Sequence, residues 1–124
     1  MRGAGLHGRS ILVVEEEPIV AFDVKAALEA AGATVVLKAV RGAADAIGSQ
    51  SFSAAILDLR PGSDDHRPIA RALKRRGVPF LFHSTHAPED VATVRGAPVM
   101  LKPARSDDIV KAVVLLLQRG RHSG

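Results

Sequence analysis

The chain has 124 residues, of which 47% are hydrophobic and 24% charged, with four Phe, no Trp or Tyr, and no cysteine. A chain of this length forms one domain burying roughly two-thirds of its unfolded surface, which excludes a two-domain arrangement; the missing cysteines exclude disulfides, thiolate zinc sites and cysteine nucleophiles. No apolar run reaches the roughly 18 residues of a membrane helix, and Met1 to Ser10 lacks a signal-peptide apolar core, so a cytoplasmic protein without membrane contact is expected.

The net charge of +4 sits at the ends: Arg2 and Arg9 precede the first apolar run, and Arg119 and Arg121 follow the last. Residues 10–118 balance thirteen basic against thirteen acidic side chains. A balanced domain poor in aromatic platforms argues against nucleic acid as a partner. The expected organisation is a flexible arm over 1–9, a domain over 10–118 and a flexible tail over 119–124.

In chain order, Ser10-Ile11-Leu12-Val13-Val14 is a short β-branched run that reads as a strand buried on both faces. Pro18 suits the first turn of a helix in which Val20, Val24, Ala27, Leu28 and Ala31 recur at helical spacing, and Gly32 supplies a left-handed C-terminal residue. Thr34 to Leu37 reads as a strand and Ala43 to Ile47 as a weak helix. Ala54 to Leu57 is a third strand. A helix over Arg67 to Arg76 ends at Gly77, and Pro79 to Phe82 opens a fourth strand. A short helix after Pro88 precedes a fifth strand, Val99 to Leu101. Ser106 is placed as the cap of a final helix whose first turn carries Asp107 and Asp108. Strict alternation of strand and helix predicts an α/β fold: a flavodoxin-like, doubly wound, five-stranded parallel sheet in the order 2-1-3-4-5.

In such sheets ligands bind beyond the carboxyl ends of the strands. Those ends carry Glu15-Glu16-Glu17, Asp58, His83-Ser84-Thr85 and Lys102-Pro103. Their predicted convergence brings the carboxylates of Glu15, Glu16 and Asp58 to the Lys102 ammonium and the Ser84 hydroxyl. Crowded carboxylates raise one another's pKa and call for a cation, and all-oxygen ligation suits Mg²⁺. A carboxylate beside a metal and a lysine is a chemically reasonable phosphoryl acceptor, because both cations neutralise charge on the transferred group.

At these residues the chain resembles the receiver domain of response regulators of two-component systems, over about residues 10–118. Ile11 to Pro18 is similar to the family's first strand and acidic pair, Ala55-Ile56-Leu57-Asp58-Leu59 to its phosphoacceptor strand, and Leu101-Lys102-Pro103 to its lysine and following proline. The resemblance implies phosphorylation at Asp58, Mg²⁺ ligation by Glu16, Asp58 and the Arg60 carbonyl with Glu15 orienting metal waters, and contacts from Lys102 and Ser84 to the phosphoryl oxygens. It further implies a stand-alone receiver in a phosphorelay, taking its phosphoryl group from a sensor histidine kinase or phosphotransfer protein and signalling through protein contacts, not an enzyme acting on a separate substrate. The partner is expected to dock along Val20, Asp23, Val24 and Ala27; the oligomeric state is left open.

Three departures from the family pattern point to an alternative, a degenerate receiver that binds partners without phosphorylation. Glu16 stands where the family commonly has Asp, Val99 stands at the usual aromatic position, and only 17 residues separate Ser84 from Lys102. A phosphotransfer hydrolase is disfavoured because Arg60 occupies the position of its second acid. Gly3 to Gly8 has dinucleotide-like spacing but precedes a strand, which argues for an arm. His83 and His86 lack a third zinc ligand. Arg71, Lys74, Arg75 and Arg76 read as a solvated helical face, with docking to an acidic partner second, and Asp64-Asp65 as part of a polar loop.

Overall fold

A computed structural model describes residues 5–58, 66–84, 98–102 and 104–122. Its elements are β1 (Ser10–Val14), α1 (Pro18–Ala30), β2 (Thr34–Lys38), α2 (Val40–Ser49), β3 (Ala54–Asp58), α3 (His66–Arg75), β4 (Phe80–Ser84), β5 (Val99–Leu101) and α4 (Ser106–His122). All strand pairs are parallel, in the order β2-β1-β3-β4-β5. This is the α/β, flavodoxin-like topology that the alternation of elements predicts. The short helix expected after Pro88 and the loop containing Asp64 and Asp65 lie outside the described residues.

Local chemistry explains the joints. Pro18 opens α1, where its missing N–H costs nothing. Gly32 (φ +102°) and Gly77 (φ +69°) occupy the left-handed region just past α1 and α3, which side chains with a Cβ rarely adopt. The end of α4 differs from expectation: Ile109 N–H donates to the Arg105 carbonyl at 3.0 Å, so Arg105 is the N-cap and Ser106 the first helical residue. At its far end α4 continues to His122, so the expected tail over 119–124 begins within a helix.

The central strands are apolar on both faces, and each face has its own core. Leu12, Val14, Ala55, Leu57, Phe80 and Phe82 pack against Ala43 and Ile47 of α2 and Ile69 and Leu73 of α3. Ile11, Val13, Ala54, Ile56 and Leu81 pack against Val24 and Leu28 of α1 and Ile109, Val113 and Leu116 of α4. Side chains alternate along a strand, so the face chosen at the core also fixes where the strand-end groups emerge.

The second core reaches outside the expected domain boundary. Leu6, assigned by sequence to a flexible arm, is fully buried, and its N–H donates to the Ala31 carbonyl at 2.9 Å. The buried Leu6 side chain, whose surface is removed from water, and the backbone bonds from Leu6 N–H to the Ala31 carbonyl and from Thr34 N–H to the Arg9 carbonyl (2.9 Å each) together tie this Gly-rich segment to the domain. Leu6→Ala is expected to cost about 2 kcal/mol, read as a lower denaturant midpoint at unchanged slope; an unchanged midpoint would show that this packing contributes nothing.

Candidate functional site

Extending the alternation by one step carries Ile11 and Val13 to Glu15, Ala54 and Ile56 to Asp58, Leu81 to His83, and Met100 to Lys102. These four side chains therefore belong to the α1/α4 face at the carboxyl ends of their strands. Lys102 is drawn in by backbone pairing, its N–H donating to the Ser84 carbonyl at 2.6 Å. Its ammonium then bridges two carboxylates, Asp58 Oδ1 at 2.7 Å and Glu15 Oε1 at 3.2 Å. The Glu17 N–H donates to Glu15 Oε2 at 3.2 Å, so each Glu15 oxygen is engaged.

The triad is screened from solvent: the side chains are 2% exposed at Glu15, 8% at Asp58 and 11% at Lys102. Burial pushes the Glu15 carboxyl above its usual range, with the Asp58 charge adding to the effect, against the Glu17 N–H and the Lys102 ammonium. Burial pulls Lys102 the other way, but its hydrogen bond and charge interaction with Asp58, joined by Glu15, leave it raised and fully charged at neutral pH. The arrangement sets the Asp58 carboxylate directly against a fixed, buried cation, whose charge is available to negative charge at that position.

Glu16 is not brought to this triad. Its carboxylate is exposed and Oε2 accepts the Val40 N–H at 2.7 Å, at the start of α2. The predicted convergence of three acids is therefore corrected to two, because alternation turns neighbouring side chains to opposite faces. Ser84 is fully buried at the end of β4, while Arg60, whose carbonyl was assigned to the metal, lies outside the described residues. Val99 is half-buried opposite Phe82 and packs in the α2/α3 core.

Sequence reasoning missed the role of His83, considered only as half of a zinc pair with His86, which falls outside the described residues. His83 is 3% exposed and its Nε2 has no hydrogen-bond partner among the described residues. Burial, then the charge of Lys102, opposed by Asp58, lowers its pKa to about 4, so the ring is neutral at physiological pH. A histidine closing the apolar run Phe80-Leu81-Phe82 was the available signal, since a strand buried on both faces buries its last residues too.

The docking face expected on α1 also changes. Val24 and Ala27 belong to the core, whereas Ile19 (78% exposed), Phe22 (69%), Asp23 and Ala26 face outward. Arg71, Lys74, Arg75 and Arg76 are exposed, as expected of a solvated face, and the last-turn cations Lys74 and Arg75 complement the α3 dipole.

Two hard carboxylate oxygens, from Glu15 and Asp58, converge on one cation. Mg²⁺ commonly uses one or two carboxylates and completes its shell with water, so these two residues fit it and Glu16, as placed, does not. Among the described residues no group of three or more His, Cys, Asp or Glu side chains is arranged to hold a metal.

No family model matches the chain, and no curated protein matches it in sequence. Solved structures do match in fold. A response regulator receiver protein from Sinorhizobium medicae superposes with a TM-score of 0.80 at 24% identity, covering 90% of this chain and 96% of that one. The receiver domain of the sensor histidine kinase PA1611 from Pseudomonas aeruginosa, which holds a magnesium ion in its active-site cleft, gives 0.78 at 22% identity, covering 90% and 98%. The response regulator PhyR from Brucella abortus gives 0.80 at 19% identity; the match covers 98% of this chain and 53% of PhyR. The chain thus has the fold of response regulator receiver domains. No described helix is long and apolar enough to cross a membrane.

Proposed function

We propose that the protein is a phosphoacceptor receiver in a phosphorelay, modified on Asp58 by a histidine kinase or phosphotransfer protein, and that it signals through protein contacts in the cytoplasm. The observation that carries this reading is the buried Lys102 bridge to Asp58 and Glu15 at the carboxyl end of the sheet. The Asp58 carboxylate, oriented by Lys102 at Oδ1, attacks the phosphorus of a partner phosphohistidine; the P–N bond breaks as the P–O bond forms, and the imidazole leaves with the electron pair. Lys102 neutralises the added charge as it builds. Mg²⁺, held by Glu15 and Asp58, would supply a second positive charge to the phosphoryl oxygens. The chain promotes its own modification and acts on no separate substrate.

The partner must bring its histidine within bonding distance of Asp58. The exposed apolar pair Ile19 and Phe22, at the end of α1 nearest the Glu15 loop, offers the contact surface. Exposed apolar side chains grouped in this way mark interaction sites, so Phe22 and Ile19 replace Val24 and Ala27 as docking residues.

Incubation with acetyl phosphate and Mg²⁺, followed by intact-mass analysis and peptide mapping, is expected to give one phosphoryl adduct on Asp58, absent in Asp58→Asn. No adduct where a control receiver reacts would favour the second reading, a partner-binding module independent of phosphorylation. That reading draws its support from Glu16, which is hydrogen-bonded to α2 and not to the acceptor site.

A further inference from the structure

We infer that Glu16, reaching from the β1–α1 loop, supplies the carboxylate that caps the start of α2, and that it positions α2 at the acceptor end of the sheet without joining Glu15 and Asp58 in holding a cation. The first half of this inference stands on the geometry of α2; only the second half rests on the receiver reading.

The first four N–H groups of a helix lack intrahelical acceptors. In α2 the N-cap position is Ala39, which offers no side-chain oxygen, and the first turn contains no acid. The residues that normally satisfy and charge-balance a helix start are therefore missing from the local sequence. Glu16, 24 positions earlier, fills the place: Oε2 takes the Val40 N–H at 2.7 Å, a charge-assisted bond at the positive end of the helix.

Strand pairing explains why this acid reaches that helix. β1 and β2 stay in register to Val14 and Lys38, and the Glu15 N–H continues the ladder to the Lys38 carbonyl at 3.2 Å. Residue 16 is thereby set beside residues 39 and 40, on the face opposite to Glu15. Length matters as well as charge. Aspartate is shorter by one C–C bond, about 1.5 Å, and from the same backbone its oxygens would fall short of the roughly 3.2 Å limit of an N–H···O bond. The Glu at this position therefore matches the demand of α2, where a carboxylate one methylene shorter would not.

The test uses the full chain and compares Glu16→Gln, Glu16→Asp and Glu16→Ala by amide hydrogen exchange and by Mg²⁺ titration followed through the Asp58 and Lys102 amide resonances. Glu16→Ala and Glu16→Asp are expected to speed exchange of the Val40 amide at least tenfold and to lower the melting temperature by a few degrees. Glu16→Gln, whose side-chain carbonyl can accept the same bond, should stay within threefold of wild type in Val40 exchange and in apparent Mg²⁺ affinity. Protection of Val40 by Asp as good as that by Glu would overturn the cap assignment, as would unchanged exchange in all three variants. A tenfold or greater loss of Mg²⁺ affinity in Glu16→Gln would overturn the second half by making Glu16 a ligand. A wild type that does not respond to Mg²⁺ would count against the cation part of the receiver reading, while the exchange rates would still decide the role of Glu16.

Discussion

Lys102→Met is expected to lower the stability of the protein at neutral pH by about 3–5 kcal/mol, the usual cost of stripping one partner from a buried ion pair, and its melting temperature by roughly 10–20 °C. The substitution keeps the length of the stem but removes the ammonium, leaving Glu15 and Asp58 facing each other with side chains only 2% and 8% exposed. Burial and the charge of Asp58 already raise Glu15, and without Lys102 only the Glu17 N–H is left to oppose them. The origin of the loss can be separated from packing in two ways. Acidification should narrow the gap between variant and wild type, because a protonated carboxyl no longer repels its neighbour, and Glu15→Gln added to Lys102→Met should recover part of the loss by leaving a single buried charge. A variant melting within about 3 °C of wild type would mean that the bridge does not hold the site together.

The second large effect is acid lability from His83. In the unfolded chain its pKa is near the ordinary 6.5, and in the native state it is about 4. Above 6.5 the ring is neutral in both states and contributes no pH dependence. Between 6.5 and about 4 the unfolded chain binds a proton that the native protein refuses, so stability falls as pH falls. At about 1.4 kcal/mol per pH unit, the loss across the window is about 3 kcal/mol and is complete below pH 4. Glu15, whose pKa is raised, works in the opposite sense: its native carboxyl takes up a proton more readily than the unfolded one, offsetting part of the loss at the acid end. Urea unfolding of wild type and His83→Leu from pH 7.5 to 4 isolates the histidine, because the other titrating groups are common to both. The difference between the two proteins should shift by about 3 kcal/mol in favour of the variant as pH falls. Parallel curves would show that His83 is protonated alike in both states.

The two effects meet in one residue. The charge of Lys102 is the second cause, after burial, of the depressed His83 pKa. Lys102→Met should therefore raise the native pKa of His83 and flatten its share of the acid loss, which an NMR titration of the ring would detect.

Much of this architecture is written in local sequence. Pro18, Gly32 and Gly77 mark helix ends because proline and left-handed glycine have few other uses there, and each stands where the sequence places it. Ile109, Val113 and Leu116 recur at helical spacing and bury one face of α4. Asp58 and Lys102 were identifiable because a charge ending an apolar run in a doubly wound sheet has to emerge at the ligand-binding edge. Leu6 escaped because its surroundings are glycines, and nothing nearby in sequence shows that α1 and α4 leave a space for it.

The strand-end side chains were a different matter. Strands with apolar residues on both faces carry no alternation, so the sequence of β1 is silent on whether Glu15 or Glu16 turns towards Asp58. Tertiary pairing decides it: Ile11 and Val13 commit to the α1/α4 core, Glu15 follows them to Lys102, and Glu16 is left on the other side, within reach of Val40. By itself the sequence determined the order of elements, the edge of the sheet that carries the chemistry and the identity of the acid and lysine that meet there. Which of two adjacent glutamates turns to Lys102 and which to the start of α2 was decided only in the folded protein, because a one-residue step along a strand reverses the direction of the side chain.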